Sequence, residues 1–131
     1  MSEDPSLALQ GAIVAALKAT PAVAGGRVLD DVPLEAEFPH LQVGEGETVG
    51  DDTECLVSSE VTMQVHVWSR AVGFPEARRI AGEVRARCTT AFALEGFTVV
   101  LAEHLQTRFL RDPDGLTSHA VVEFRYLVDH D

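Results

Sequence analysis

The sequence predicts an α+β fold, in which an antiparallel-rich mixed sheet carries two helices packed on one face and ends in a C-terminal β-hairpin. Three observations predict this fold. Apolar residues recur at helical spacing in two segments, and they alternate with polar residues in several others. An Asp-Pro-Asp-Gly turn separates the last two alternating segments, as a hairpin requires. The order helix, strands, helix, hairpin favours a sheet whose apolar face is covered by both helices.

Bulk composition limits the class of protein. The chain has 131 residues, of which 46% are hydrophobic and 24% charged, which suits one domain, residues 1–131, that buries its own core. The formal net charge of -11 repels phosphate backbones and anionic lipid surfaces, so we expect no membrane binding and no nucleic-acid binding by general electrostatics. Because the sequence shows neither a signal peptide nor a membrane-spanning run, we expect a soluble, unexported protein.

The first half of the chain reads as one helix, two short strands and a loop. Asp4 is a helix-capping residue, and apolar residues then recur at helical spacing until Pro21 stops the helix. Short strands are predicted at 27–32 and 38–43. Residues 44–59 combine glycines with acidic residues and show little periodicity, so we expect a long mobile loop. Loops of this length are more often functional or disordered than merely connective.

The second half reads as strand, helix and hairpin. Residues 61–68 alternate between apolar and polar, and 75–94 carry one apolar stripe at helical spacing. That stripe consists of Ala77, Ile80, Ala81, Val84, Cys88 and Ala91. Glu95-Gly96 is expected to end the helix, and strands at 97–110 and 119–128 then form the hairpin. In the first of these strands we expect Phe97, Val99 and Leu101 on one face, with Val100 and Ala102 on the other.

No recognised catalytic, phosphate-binding or metal-binding motif is present. We therefore predict no enzyme, no cofactor and no metal site, and two reduced thiols at Cys55 and Cys88. The alternative is an enzyme that uses His66, His104 or His119, which the predicted strands place on the polar face of the sheet. Solvated strand histidines are the commoner outcome of such a pattern.

Charge is unevenly distributed along the chain. Residues 30–60 contain ten acidic residues and neither Lys nor Arg. By contrast, five of the ten basic residues lie on or just before the second helix, and these are Arg70, Arg78, Arg79, Arg85 and Arg87. One interpretation is a solvated helix with local ion pairs such as Glu83 to Arg87. The other is head-to-tail self-association, in which these five arginines form a subunit interface with the acidic segment of the next copy.

Several short motifs also resemble a known family. They are Arg27-Val28-Leu29-Asp30, Phe38-Pro39-His40-Leu41-Gln42-Val43-Gly44, Val65-His66-Val67-Trp68-Ser69-Arg70, Glu76-Ala77-Arg78-Arg79-Ile80-Ala81 and Leu94-Glu95-Gly96-Phe97. In order and spacing they resemble the tail-terminator, or tail-completion, proteins of long-tailed phages and gene transfer agents, over nearly the whole chain. This family often has an aromatic residue at the position of His40.

The resemblance implies a virion structural protein, made in the host cytoplasm, that forms a hexameric ring on the head-proximal end of a tail tube. There it would end tail growth and join the tube to the head connector. Its partners would be further copies of itself, the tail tube protein and a head-side connector or stopper protein, and DNA would pass through the ring without specific binding. The loop would dock on a neighbouring ring of the tail, through Glu45, Glu47, Thr48, Val49, Asp51, Asp52 and Glu54. The alternatives are a head-completion or stopper protein of the same neck, or a small-molecule-binding regulatory domain.

Overall fold

Two α-helices, one short 3-10 helix (Ala24–Gly26) and six strands make up the computed structural model, which describes residues 4–20, 24–29, 36–50 and 58–131. The α-helices are α1 (Ser6–Lys18) and α2 (Pro75–Cys88). The strands are β1 (Val28–Leu29), β2 (His40–Gly50), β3 (Ser58–Ser69), β4 (Ala93–Leu94), β5 (Phe97–Arg111) and β6 (Ser118–His130). No described helix has the length and apolar composition that crossing a bilayer requires.

The six described strands form one mixed sheet in the order β1-β2-β3-β6-β5-β4. β1 runs parallel to β2, and every other neighbouring pair is antiparallel. The central pair, β3 and β6, is registered without a break from Ser58 opposite Asp129 to Ser69 opposite Ser118. The α+β class and the C-terminal hairpin, formed by β5 and β6, are therefore confirmed.

One face of the sheet and the two helices enclose the core. β6 contributes the alternating residues Ala120, Val122, Phe124, Tyr126 and Val128, all of which are buried. α1 adds Leu9, Ile13 and Leu17 from one side of the helix. The opposite side of the sheet, here called the polar face, carries Gln64, His66, Trp68, His119, Glu123 and Arg125. The predicted amphipathic pattern of β3 and β6 is thus confirmed.

The N-terminal elements follow the sequence prediction closely. Asp4 accepts a hydrogen bond from the backbone N–H of Ser6 at 2.8 Å, which satisfies one of the free donors at the start of α1. α1 ends at Lys18, shortly before the predicted stop at Pro21. Of the strand predicted at 27–32, the described part is β1, and residues 30–32 lie outside the described ranges.

β2 is longer than predicted, which corrects the expected loop. The strand begins at His40 and continues to Gly50, and β3 already includes residues 58 and 59, so the loop prediction was wrong at both of its ends. Residues 51–57 lie outside the described part of the chain. Pairing continues because a β-bulge between Val43 and Gly46 resets the register against β3. A Cβ at Gly46 would lie 1.9 Å from the carbonyl oxygen of Thr62, so only glycine fits there.

α2 ends at Cys88 rather than at residue 94 as predicted. The last predicted stripe residue, Ala91, is exposed, and β4 forms at 93–94 instead. Glu95-Gly96 does not end the helix but makes the turn between β4 and β5, in which Leu94 pairs with Phe97. Gly96 has a φ of 81°, a conformation that glycine adopts without steric cost. The apolar residues after Cys88 therefore extend the sheet.

Two β-bulges change the faces of β5. The pairing with β6 shifts between Val99 and Leu101 and again between 104 and 106. Val99 and Ala102 consequently oppose the core residues of β6, whereas Leu101 is 37% exposed. The predicted grouping of Val99 with Leu101 was wrong because each extra residue reverses the alternation that follows it.

Candidate assembly surfaces

The arginines of α2 project outward because the apolar stripe of the helix points inward. Five stripe residues are buried, and these are Ala77, Ile80, Ala81, Val84 and Cys88. The four helical arginines are exposed, namely Arg78, Arg79, Arg85 and Arg87. Arg87 forms the predicted ion pair with Glu83, with 3.7 Å between nitrogen and oxygen. Exposed pairs at this spacing contribute only about 0.3–0.5 kcal/mol, so the pair leaves Arg87 able to exchange its partner.

Two phenylalanines fix the arginine side chains next to β5. The guanidinium carbon of Arg78 lies 4.3 Å from the ring centre of Phe109 and 5.8 Å from that of Phe74. Arg111 lies 4.9 Å from the Phe74 ring, and the two rings meet edge to face at 6.3 Å. We call these four residues the aromatic–arginine cluster. The cluster was not predicted from the sequence, although an aromatic residue directly before a helix, with an arginine four residues later, was a usable signal.

A basic groove runs between α2 and β5, beside the aromatic–arginine cluster. It has a volume of roughly 370 Å³ and is lined by Arg78, Ala81, Gly82, Arg85, His104, Thr107 and Phe109. His104 lies 2.7 Å from the Thr107 hydroxyl, and partial burial together with the charge of Arg85 lowers its pKa. The positive charge of the groove at neutral pH therefore comes from the two arginines, which suits carboxylate-bearing partners.

Arg70 is engaged inside the chain. Its guanidinium lies 4.2 Å from the ring centre of Phe38, and its Nε donates to the hydroxyl of Thr117 at 3.2 Å. It also approaches Asp114 at 4.0 Å. A side-chain hydrogen bond from Thr117 holds the pKa of Asp114 below its usual range, so this carboxylate stays charged. Arg70 thus links the start of β2 to the β5–β6 turn.

Most of the described part of the acidic segment lies along β2, next to one end of the sheet. Glu47 is exposed, and Val49 keeps half of its surface in solvent. The hydroxyl of Thr48 donates to Asp4 at the start of α1, at 3.0 Å. The predicted docking residues Asp51, Asp52 and Glu54 fall outside the described ranges, as does the side chain of Glu45.

The structure separates the three candidate catalytic histidines. His66 and His119 do meet on the polar face, with Nδ1 of the first 2.7 Å from Nε2 of the second. Trp68 stacks on His119 with 3.7 Å between ring centres and 8° between planes. His104 lines the α2–β5 groove, on the helix side of the sheet. The expected meeting of all three is therefore wrong, because the first bulge in β5 reverses the side to which His104 points.

The polar face is held together by charged and amide side chains from three strands. Arg125 of β6 binds Glu60 of β3 at 3.1 Å and Glu103 of β5 on its other side. Hydrogen bonds to these two carboxylates raise its pKa. Glu123 accepts from Gln64 at 3.1 Å and from Gln106 at 3.3 Å. The face is thereby a hydrogen-bonded polar layer in which carboxylates outnumber the arginine that binds them.

The described residues show no cation site. Within ranges 4–20, 24–29, 36–50 and 58–131, no group of three or more His, Cys, Asp or Glu side chains is placed to hold a metal ion. Cys88 is fully buried, and burial raises its pKa to about 12, so it remains a thiol. Cys55 lies outside these ranges.

Comparisons with known proteins agree with each other. The family model described as "Tail completion protein gp17" matches residues 11–129. The tail completion protein gp17 of Bacillus phage SPP1 is 26% identical over 94 residues, which is 71% of this chain and 69% of the relative. The solved structure of SPP1 gp17 matches with a TM-score of 0.63 over 92% of this chain and 88% of that one, at 26% identity. A chain of the native gene transfer agent virion matches in fold with a TM-score of 0.87, at 21% identity, over 98% and 99% of the two chains.

Proposed function

Because the chain belongs to the tail completion protein gp17 family and is therefore a non-enzymatic structural component of a phage-type virion, we propose that it forms a homo-hexameric ring at the head-proximal end of the tail tube. There the ring ends the growth of the tube and joins it to the head-side connector or stopper protein. The family membership confirms the predicted absence of enzymatic function.

The observation that carries this proposal is the separation of opposite charges to the two ends of the sheet. The acidic β2 lies next to one end of the strand order, whereas β5 and the basic groove lie near the other. Two different complementary surfaces on one molecule favour a head-to-tail contact, and repetition of that contact closes a ring when the rotation permits.

We assign the subunit interface mainly to the α2 arginines. Arg78 and Arg85 line the groove, and the rings of Phe74 and Phe109 hold the first of them in place. An arginine that is already oriented loses less side-chain entropy when it pairs with a carboxylate. Arg79 and Arg87 extend the same surface, while Arg70 supports it from within the chain.

The β2–β3 hairpin is the proposed docking element for the tail tube or the connector. Its strands carry Glu45, Glu47, Thr48 and Val49, and they are joined by residues 51–57, which include three further acidic residues. A half-exposed valine between carboxylates offers both an apolar contact and charge complementarity. The hairpin would therefore bind a basic surface on the neighbouring ring.

The polar face is the proposed lining of the channel through which DNA passes. It carries the carboxylates of Glu60, Glu103 and Glu123 and the guanidinium groups of Arg108 and Arg125, so carboxylates are in excess, and Arg125 already binds the first two. Fixed carboxylates repel the phosphate backbone, so DNA would slide without being held. Each copy also contributes a net charge of -11 to the ring as a whole.

Electron microscopy of particles from the wild-type host and from a deletion strain tests this proposal. We expect overlong or headless tails in the deletion strain and a ring at the head-proximal tail end in the wild type. A ring found on the head side of the neck would support the stopper alternative instead. Normal particles that lack the protein would overturn the proposal.

A further inference from the structure

The outer edge of β5 is a long row of backbone groups without a partner strand in the described part of the chain. β4 is two residues long and covers only Phe97 and Thr98. From Val99 to Arg111, no described strand pairs with the outer side of β5. Leu105 and Leu110 on this stretch are 44% and 43% exposed. Such an edge readily accepts another strand.

The hydrogen-bond pattern shows which groups point outward. The N–H of Asp112 donates to the carbonyl oxygen of Thr117 at 2.9 Å, at the turn where β5 meets β6. Residues of an antiparallel strand alternate between facing their partner and facing away from it. Counting back from Asp112, residues 107, 109 and 111 therefore direct their N–H and C=O groups to the free edge.

Natural proteins protect edges of this kind with bulges, proline or charged side chains. Both bulges of β5 lie before residue 106. Residues 106–111 form a regular ladder with β6, contain no proline and carry Arg108 and Arg111. The stretch is thus short and regular, and it is protected by the charge of two arginines, which a strand carrying carboxylates would neutralise.

We propose that residues 106–111 of β5 pair, as adjacent antiparallel strands, with β2 of a second copy of this chain. The inference deepens the proposed ring and rests on it. β2 lies near the opposite end of the sheet, where β1 covers only Leu41 and Gln42, and no described strand covers the rest. It carries Glu45 and Glu47. Opposite charges on adjacent strands stabilise a pairing of this kind.

Strand direction agrees with a ring. β2, β3, β6 and β5 alternate in direction, so β2 and β5 run antiparallel within one chain. A rotation about an axis roughly along the strands keeps each direction, and β5 of one copy then meets β2 of the next in the antiparallel sense. Six copies with four long strands each would close a barrel of 24 strands, with a backbone diameter of roughly 45–50 Å at ordinary spacing and tilt. That width leaves a channel after side chains are included.

Engineered cysteines test the pairing in assembled particles. Glu47 pairs with Thr62, and Gln106, Arg108 and Leu110 pair with β6 residues of the polar face, so these four positions share that face. In a Cys55→Ser background, Glu47→Cys is combined in turn with Gln106→Cys, Arg108→Cys or Leu110→Cys, because the register between copies is unknown. Particles from a complemented deletion strain are oxidised mildly and run on non-reducing gels.

We expect one double variant to give a ladder of bands up to the full ring, because each bond joins two copies. Each single variant should give none, and so should Glu47→Cys with the control Glu95→Cys, since Glu95 is exposed on the β4–β5 turn, outside the proposed surfaces. Crosslinking by Arg108→Cys alone would indicate an isologous contact and overturn the head-to-tail pairing. Rings visible by microscopy with no crosslink in any double variant would overturn the edge pairing and leave the proposed ring standing. Absence of rings would overturn both.

A proline variant tests the backbone contribution separately. Thr107→Pro removes an N–H that points to the free edge, whereas proline is tolerated on an edge strand. We expect the purified subunit to keep its fold by circular dichroism but to fail in ring formation, while Thr107→Val assembles normally. Assembly of the folded proline variant would contradict the proposal.

Discussion

Arg78 of α2 and Phe109 of β5 meet across the boundary between helix and sheet, with the guanidinium carbon 4.3 Å from the ring centre. The contact fixes the direction of one arginine on the proposed interface. Its strength can be measured apart from assembly, because both residues belong to the same chain.

Arg78→Ala is expected to lower the free energy of unfolding by roughly 0.5–1 kcal/mol, the usual strength of an exposed cation–π contact. The same substitution in a Phe109→Leu background should cost much less, since the ring is already absent. Urea denaturation of the four proteins in this double-mutant cycle measures the coupling. Equal losses in both backgrounds would show that the contact contributes nothing.

Gly46→Ala should disrupt the β2–β3 hairpin, because the new Cβ would meet the Thr62 carbonyl oxygen at 1.9 Å. We expect a loss of at least about 1–3 kcal/mol, as for other overpacked sites. Gly44→Ala and Gly50→Ala are matched controls, since a Cβ at either position meets nothing within 4 Å. Thermal denaturation of the three variants would separate them, and equal melting temperatures would contradict the clash.

Tyr126→Phe should destabilise the fold by about 1–3 kcal/mol, the cost of leaving a buried acceptor unsatisfied. The Tyr126 hydroxyl donates to the carbonyl oxygen of Cys88 at 2.7 Å, and this carbonyl belongs to the last residue of α2. Hydrogen exchange should show faster opening at the end of α2 than at its start. A variant as stable as wild type would mean that the carbonyl finds another donor.

Cys88 should resist alkylation in the native protein and react once the chain unfolds. Burial raises its pKa from 9.0 to about 12, so the folded state disfavours the thiolate. The folded state therefore holds the thiol proton more tightly than the unfolded state does. The resulting contribution to the free energy of unfolding is complete below pH 9.0 and is lost as the pH rises towards 12. In a Cys55→Ser background, Cys88→Ala should flatten the fall of stability over this alkaline range. An unchanged pH profile would contradict the assignment.

Glu47→Lys should impair tail completion without unfolding the subunit, because Glu47 is exposed on the proposed docking hairpin and lies on the strand proposed to pair with the next copy. Glu95→Lys makes the same charge change on an exposed turn that is not part of the proposed surfaces. Both should stay within about 0.5 kcal/mol of wild-type stability. Counting headed and headless tails by microscopy compares them, and equal counts would remove Glu47 from the docking surface.

Sequence patterns predicted the elements whose burial follows a simple period. The alternation in β3 and β6 and the apolar spacing in α1 and α2 were sufficient, since these elements cover the core with one face. The pattern failed at residues 44–50, where glycine and glutamate form a strand because an already fixed neighbour, β3, supplies its hydrogen bonds. Local composition does not contain that information.

The candidate surfaces were predictable only in part. The outward direction of the α2 arginines follows from the helical period. The contact of Arg78 with Phe109 joins residues 31 positions apart. It depends on the second bulge of β5, which reverses the alternation again and returns Phe109 to the helix side of the sheet. The first bulge of β5 moved His104 away from His66 and His119, because one extra residue exchanges the two sides of a strand. The register between β5 and β6 therefore determined both the Arg78–Phe109 contact and the position of His104.

The uninterrupted pairing of β3 with β6 also determines how the subunit resists a pulling force. Their pairs run from Ser58 opposite Asp129 to Ser69 opposite Ser118, and both strands lie inside the sheet. A pull along the strand axis loads these hydrogen bonds side by side, so that many must break together, whereas a pull across the strands would open them one at a time. A subunit whose strands lie along a tail would resist tension between head and tail through its most continuous ladder.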